Sequence, residues 1–206
     1  MNWTMADIAD SMTPGTARHC QPGHEGWSEE AGRLDVAVYS AVAATPTPAL
    51  DRFFRDLSRA ADRSKLWVCS AAALTACGGR PGRRAAANGL ASIAVTSAVV
   101  NLFLKPLAHR RRPDPGAHDV PTAREVAMPR SRSFPSGHAA SAFAFATGVE
   151  IALPRIGVPL TATAALVAYS RVHTGVHYPG DAIAGSVIGA GLAPIVVAAL
   201  DRRRRS

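Results

Sequence analysis

Two runs without a charged residue, 85–104 (20 residues) and 182–200 (19 residues), set the outer bound on what this chain can fold into. Each matches the ~20 residues that carry an α-helix across a hydrocarbon core, where the backbone must satisfy its own hydrogen bonds. The expected fold class is therefore all-α, an integral membrane helical bundle. Three shorter apolar segments at 66–79, 136–153 and 156–169 raise the expectation to about five spans. The first and third have only 14 residues, a length shared by buried soluble helices and by short, tilted spans extended by polar flanks.

Ahead of these, Leu50, Phe53, Phe54 and Leu57 recur at i, i+3, i+4 and i+7 among Asp51, Arg52, Arg55, Asp56 and Arg59. That spacing predicts an amphipathic helix over 50–59, which beside membrane spans belongs at the interface. Residues 1–33 contain Pro14, Gly15, Pro22, Gly23 and Gly26, show no sustained periodicity, and lack the apolar core and small-residue cleavage site of a signal peptide. They are expected to form a flexible extension, with the membrane domain at 34–200 and a basic tail at 201–206. Cys20, Cys69 and Cys77 form no CxxC pair and are expected to be small buried hydrophobes rather than zinc ligands or disulfide partners.

The formal net charge is +8, of which the 201–206 tail contributes +3. Aromatic residues do not interleave with the basic clusters, which argues against a nucleic-acid surface. Basic residues flanking membrane spans account for the charge better. With the tail cytoplasmic, alternation of five spans puts Arg80, Arg83, Arg84 and Arg155 on the same side, as the positive-inside rule requires. The loop 105–135 and the connection 171–181 then fall outside, and their basic residues call for a functional reason.

Those outer segments carry the chemistry. Lys105 and Arg112 stand seven residues apart, on one helical face if the helix continues past Pro106. Phe134-Pro135-Ser136-Gly137-His138 opens an apolar helix, and Ser170-Arg171 through His177 to Asp181 closes one span and opens the next. Lys105, Arg112 and Arg171 offer a cationic cage, with the Ser136 hydroxyl and the Gly137 N–H at a helix N-terminus suited to a phosphate. His177 can attack phosphorus if its other ring nitrogen donates to a carboxylate, and Asp181 is four residues on. His138 can protonate the leaving group and later activate water. This chemistry needs no metal and no cofactor. Arg110 and Arg111 read as solvated or headgroup-contacting, His173 as a hydrogen-bonding or substrate-contacting neighbour, His109 as a bystander, and His118 as solvated.

The three-part pattern K-x6-RP, PSGH and SR-x5-H-x3-D resembles the signature of the type 2 phosphatidic acid phosphatase superfamily, which also includes bacterial nonspecific acid phosphatases and vanadium haloperoxidases. Every signature position is matched: Lys105, Arg112 and Pro113; Pro135, Ser136, Gly137 and His138; Ser170, Arg171, His177 and Asp181. The chain also looks like the phosphatase portion of actinobacterial proteins that couple such a domain to a lipid-kinase-like domain. The resemblance implies His177 as nucleophile, His138 as acid/base, Asp181 as orienter and the other matched residues as phosphate ligands. It further implies a membrane lipid phosphate as substrate, the bilayer as partner, and a multi-pass protein of the cell membrane with an extracytoplasmic site. A soluble acid phosphatase, a haloperoxidase and a non-enzymatic lipid-binding scaffold are the competing readings. The lipid itself is left open among phosphatidate, phosphatidylglycerol phosphate, diacylglycerol pyrophosphate and polyprenyl phosphates or their glycosides.

Overall fold

The computed structural model describes the backbone of residues 24–206 and side chains from residue 29 onward. Cys20 and residues 1–23 of the expected extension lie outside the described residues. The chain divides into two compact units between Arg33 and Leu34. That boundary falls inside the first helix, α1 (His24–Ala44), so residues 24–33 are helical. Six further helices follow: α2 (Pro48–Ala60), α3 (Lys65–Cys77), α4 (Gly79–Ala98), α5 (Gly137–Glu150), α6 (Pro154–His173) and α7 (Pro179–Arg205). A π-helical segment, Val99–Leu104, and a last turn, Lys105–Leu107, continue α4 without a break.

Helix α5 occupies the centre because eight of its 14 residues are Ala, Gly or Ser. Ala139, Ala140, Ala142, Ala144 and Ala146 are fully buried, and small side chains let neighbouring backbones approach. Gly185 and Gly189 of α7 face it one turn apart. A Cβ at either would lie 2.4 Å from the Ser136 carbonyl oxygen or 2.1 Å from that of Ala140. Helices α4 and α6 pack on its other flanks, and Trp67, Ala86, Ile93, Phe145, Val149 and Val167 fill the core between them. Near the opposite end Tyr39, Val120, Ala139, Val172 and Ala182 join α1 and the long loop to the bundle.

Among the described residues, two helices, Gly79–Leu107 and Pro179–Arg205, are long and apolar enough to cross a membrane. The segment at 156–169 belongs to a 20-residue helix, because its polar end through His173 is buried and the helix continues there. Helix α3, with 13 residues, reaches only ~20 Å. It buries Trp67 and Ala71, packs Leu66 and Leu74 against the core, and turns Cys69 and Cys77 outward, so both are exposed rather than buried as expected. Leu102, Phe103, Val158, Ile183, Val187 and Ile195 are each more than 60% exposed, an apolar surface suited to lipid. The amphipathic segment forms α2, with Leu50 and Phe53 half-exposed and Asp51, Phe54 and Ser58 turned inward.

Candidate active site

Lys105 ends the long α4 run, His138 stands in the first turn of α5, Arg171 in the last turn of α6, and Asp181 in the first turn of α7. Antiparallel alternation of the helices brings these ends together. The opposite end holds Arg84, which pairs with Asp201 at 2.8 Å, so the basic tail and the signature residues occupy opposite ends of the bundle.

Between α6 and α7 the chain turns at Gly175, whose φ of +74° a side chain would strain. The amides of Val176 and His177 both donate to the Arg171 carbonyl at 3.1 Å, and this tight loop aims the imidazole inward. His177 Nε2 lies 3.0 Å from Arg112 Nη1, while Nδ1 lies 3.4 Å from Asp181 Oδ2. A guanidinium only donates, so Nε2 is the acceptor and Nδ1 carries the proton toward Asp181. Burial pushes the His177 imidazole down to about 4; the hydrogen bond to Asp181 opposes this, and the Arg112 and Arg171 charges reinforce it. The ring is neutral at neutral pH, with the Nε2 lone pair facing the cations.

Asp181 is fully buried. Its Oδ2 accepts from the Ser133 hydroxyl and from the Tyr178 amide (2.9 Å), and Arg110 reaches Oδ1 at 3.1 Å. Arg110 also pairs with Asp35 and lies 4.3 Å over the Tyr178 ring. It is therefore a buttress of the site and not a solvated residue as its place in an Arg run suggested.

Arg112 is held by the Ser131 carbonyl (2.8 Å) and the Val176 carbonyl (2.8 Å), and the Ser131 hydroxyl accepts from both Arg112 (3.2 Å) and Lys105 (3.3 Å). The two cations do meet, but not on one helical face. The helix stops at Leu107 and Ala108 is extended, in keeping with the bias of Arg112 away from helix before Pro113. Lys105 Nζ lies 3.4 Å from where a Gly137 Cβ would stand. Ser136 caps α5, accepting from Ala139 N at 3.5 Å. Arg171 is 1% exposed and donates to Ser58; its Nε–H has no acceptor among the described residues. Three buried or half-buried cations around a capped helix N-terminus make a cationic cradle whose chemistry suits a phosphate.

The second imidazole has its own carboxylate. His138 Nε2 lies 2.9 Å from Asp62 Oδ1, and Arg171 is 3.9 Å from the same oxygen. Asp62 sits in the helical turn Asp62–Ser64, in which Arg63 and Ser64 adopt φ of +53° and +59°. No motif spacing pointed to it; its one sequence signal is a carboxylate placed where an amphipathic helix meets an apolar segment. His173 is a buried structural neighbour, 3.0 Å from Asp51. His109 is exposed and bonds only the Leu107 carbonyl (3.0 Å). His118 is not solvated but half-buried, 3.0 Å from Ser40 Oγ and edge-on to Tyr39.

Residues 86–205, which hold every signature position, match the family model described as the PAP2 superfamily. The chain belongs to the PAP2 superfamily. A decaprenylphosphoryl-5-phosphoribose phosphatase of Mycobacterium tuberculosis is 32% identical over 185 residues, 87% of this chain and 98% of that protein. A lipid A 4'-phosphatase of Bacteroides thetaiotaomicron is 35% identical over 48% of this chain and 46% of its own length. Among solved structures, LpxE of Aquifex aeolicus superposes with a TM-score of 0.65 at 25% identity, covering 80% of this chain and 94% of that one. A transmembrane PAP2 type phosphatidylglycerolphosphate phosphatase from Bacillus subtilis shares the fold, with a TM-score of 0.62 at 24% identity, covering 84% and 87%. The PAP2 chain described here is thus a phosphatase whose relatives are membrane lipid phosphatases.

Proposed function

We propose that this PAP2 protein is a multi-pass enzyme of about five spans that hydrolyses a phosphomonoester or pyrophosphate of a membrane lipid through a phosphohistidine on His177. The observation that carries the reading is the His177 geometry: Nδ1 toward a buried carboxylate, Nε2 toward Arg112, and a ring kept neutral by burial. When substrate enters, a phosphate oxygen takes the Arg112 donors from Nε2 and leaves the lone pair free. Nε2 then bonds to phosphorus as the P–O bond to the leaving group breaks, and His138 supplies the proton that the departing oxygen requires. In the second half, His138 takes a proton from water, the hydroxide oxygen bonds to phosphorus, and the P–N bond breaks. Lys105, Arg112, Arg171, Ser136 and Gly137 hold the equatorial oxygens, whose charge is greatest in the transition state. Side-chain cations supply the charge compensation, so turnover is expected in EDTA and vanadate is expected to inhibit as a mimic of the trigonal-bipyramidal state. The relatives' named substrates, an isoprenoid-linked sugar phosphate and lipid A, support a lipid phosphate. The outward apolar surface opposes a soluble acid phosphatase.

Acid quenching with a labelled aryl phosphate tests the assignment. His177→Ala should abolish both turnover and acid-labile label, whereas His138→Ala should accumulate label, because an activated phenolate leaves without a proton but water still needs a base. Label that persists in His177→Ala and vanishes in His138→Ala reverses the two roles.

A further inference from the structure

The carboxylate behind His177 has a second carboxylate behind it. Arg110 Nη1 reaches Asp181 Oδ1 at 3.1 Å, and its Nη2 pairs with Asp35 Oδ2. Asp35 Oδ1 accepts from the Gly180 amide at 2.6 Å, so the same side chain caps the first turn of α7 one residue before Asp181. The Asp35 side chain is only 10% exposed. It comes from α1, which lies wholly outside residues 86–205, the stretch that carries the family match. We propose that Asp35 is a positioning residue for phosphoryl transfer: through Arg110 it holds the Asp181 carboxylate in register with His177 and offsets the Arg110 charge, so that a net negative charge stands behind the nucleophile. This role rests on the reading that His177 carries the phosphoryl group.

The local chain is built for the contact. A Cβ at position 180 would lie 2.7 Å from Asp35 Oδ2, so the approach of the carboxylate requires Gly180. The Tyr178 ring, 4.3 Å from the Arg110 guanidinium carbon, gives the cation a flat support from which its fork spans two carboxylates. Oδ2 of Asp181 is shared among the Ser133 hydroxyl, the Tyr178 amide and His177 Nδ1. Arg110 takes Oδ1, which fixes the rotation of the carboxylate and keeps Oδ2 toward the ring.

The order of charges says what Asp35 adds. As Nε2 bonds to phosphorus, its lone pair becomes the P–N bond, the leaving oxygen departs with the P–O pair, and the ring takes on positive charge that Nδ1–H shares. Arg112 and Arg171 stand close to the ring and oppose that charge, so compensation has to come from behind it. Asp181 beside an unpaired Arg110 sums to no net charge. With Asp35 the three groups carry one net negative charge, and it is aligned with Nδ1–H.

Rapid acid quenching of the purified full chain in detergent, with labelled p-nitrophenyl phosphate, reads formation of the phosphoenzyme apart from its hydrolysis. Each variant is compared at its folded fraction, taken from thermal unfolding in the same detergent. Asp35→Asn keeps an oxygen for the Gly180 amide but removes the charge; it should slow label formation about tenfold, the effect of one unit charge several ångströms away in a half-buried place, with KM little changed. Asp35→Glu keeps the charge and should recover most of the rate. Adding Arg110→Gln to Asp35→Asn removes the uncompensated cation and should restore severalfold of the lost rate, although the ion pair is still missing. A merely structural role predicts the reverse order, because the double variant has lost both anchors. A double variant no faster than Asp35→Asn, or Asp35→Asn as fast as the unaltered chain, overturns the role of Asp35 and leaves the phosphohistidine standing. Hydrolysis of the ester by the unaltered chain without acid-labile label overturns the phosphohistidine reading and the role of Asp35 with it.

Discussion

His177 and His138 are the same side chain beside the same Arg171 charge, and they differ in their carboxylate partners. His177 is buried beside Arg112 and Arg171 and backed by the fully buried Asp181; His138 is backed by Asp62, which is 47% exposed at its side chain. The proposed nucleophile must be neutral, and a folded-state value near 4 means the His177 lone pair is lost only as pH falls through about 4. A labelled-histidine NMR titration in micelles should therefore show no His177 transition between pH 8 and 5; a midpoint near 6.5 would show that burial and the neighbouring cations do not lower it. Asp62 accepts from Nε2 of His138 and fixes which nitrogen is offered to the leaving oxygen. As a positioning residue, its loss should matter where protonation matters. Asp62→Asn is expected to lower kcat about tenfold on an alkyl phosphate and much less on p-nitrophenyl phosphate, with Asp62→Glu recovering part of the difference. Equal loss on both esters would mean a structural role only. The signature residues were legible because their chemistry depends on residue type at short spacing. Asp62, Ser133, Asp35 and Arg110 were not, because they come from other elements and are brought in only by packing. The Arg110 run reads as solvated charge until Asp35 and Tyr178 are placed beside it.

At the scale of elements, the long loop after α4 is fixed to the bundle by one buried cation. Arg124 is 0% exposed; its Nε bonds Asp51 Oδ1 at 2.8 Å, and its other nitrogens reach the carbonyls of Val42 (2.9 Å) and Thr45 (2.6 Å). Asp51 in turn holds His173, so α1, α2, the loop and α6 meet at one ionic cluster. Removing one partner strands the other charge in a desolvated place. Arg124→Leu should destabilise by about 3–5 kcal/mol, read as a lower thermal midpoint in detergent, and Asp51→Asn added to it should cost less than the separate losses sum to. An unchanged midpoint would show that the loop is held by other contacts. The apolar periodicity exposed α2 in the sequence, yet not its polarity. Asp51 looked like the solvent face and instead points inward, as Ser58 does, since a membrane interface leaves Leu50 and Phe53 free to stay outside. Helix lengths were misjudged for the same reason: hydropathy ends α6 near Tyr169, while buried hydrogen bonds carry it to His173.

For the whole molecule, the expected orientation rests on the basic residues at the end of the bundle away from the site. One end carries Arg80, Arg83, Arg84 and Arg202 to Arg205, with Arg84 and Arg204 tied to Asp201. Lys105, Arg112 and Arg171 lie at the other end with Arg110, Arg111, Arg130 and Arg132 of the long loop; Arg112 is bound to carbonyls and a hydroxyl, Arg171 to Ser58 and Asp62, and Arg110 to Asp35 and Asp181. Lys and Arg in short flanks next to a span bias that flank to the cytoplasm, and the tail and the α3–α4 turn supply seven of them. The expected orientation therefore has Ser206 in the cytoplasm and the phosphate cradle outside. A reporter that is active only in the cytoplasm, fused after Ser206, should be active, and a periplasmic-type reporter at the same place should be silent. Replacing Arg202 to Arg205 and Arg80, Arg83 and Arg84 by Gln should weaken the bias, giving activity of both reporters in one population of fusions. If the unaltered chain activates the periplasmic-type reporter at Ser206, the catalytic end faces the cytoplasm, and the lipid phosphate it meets must be drawn from the inner leaflet.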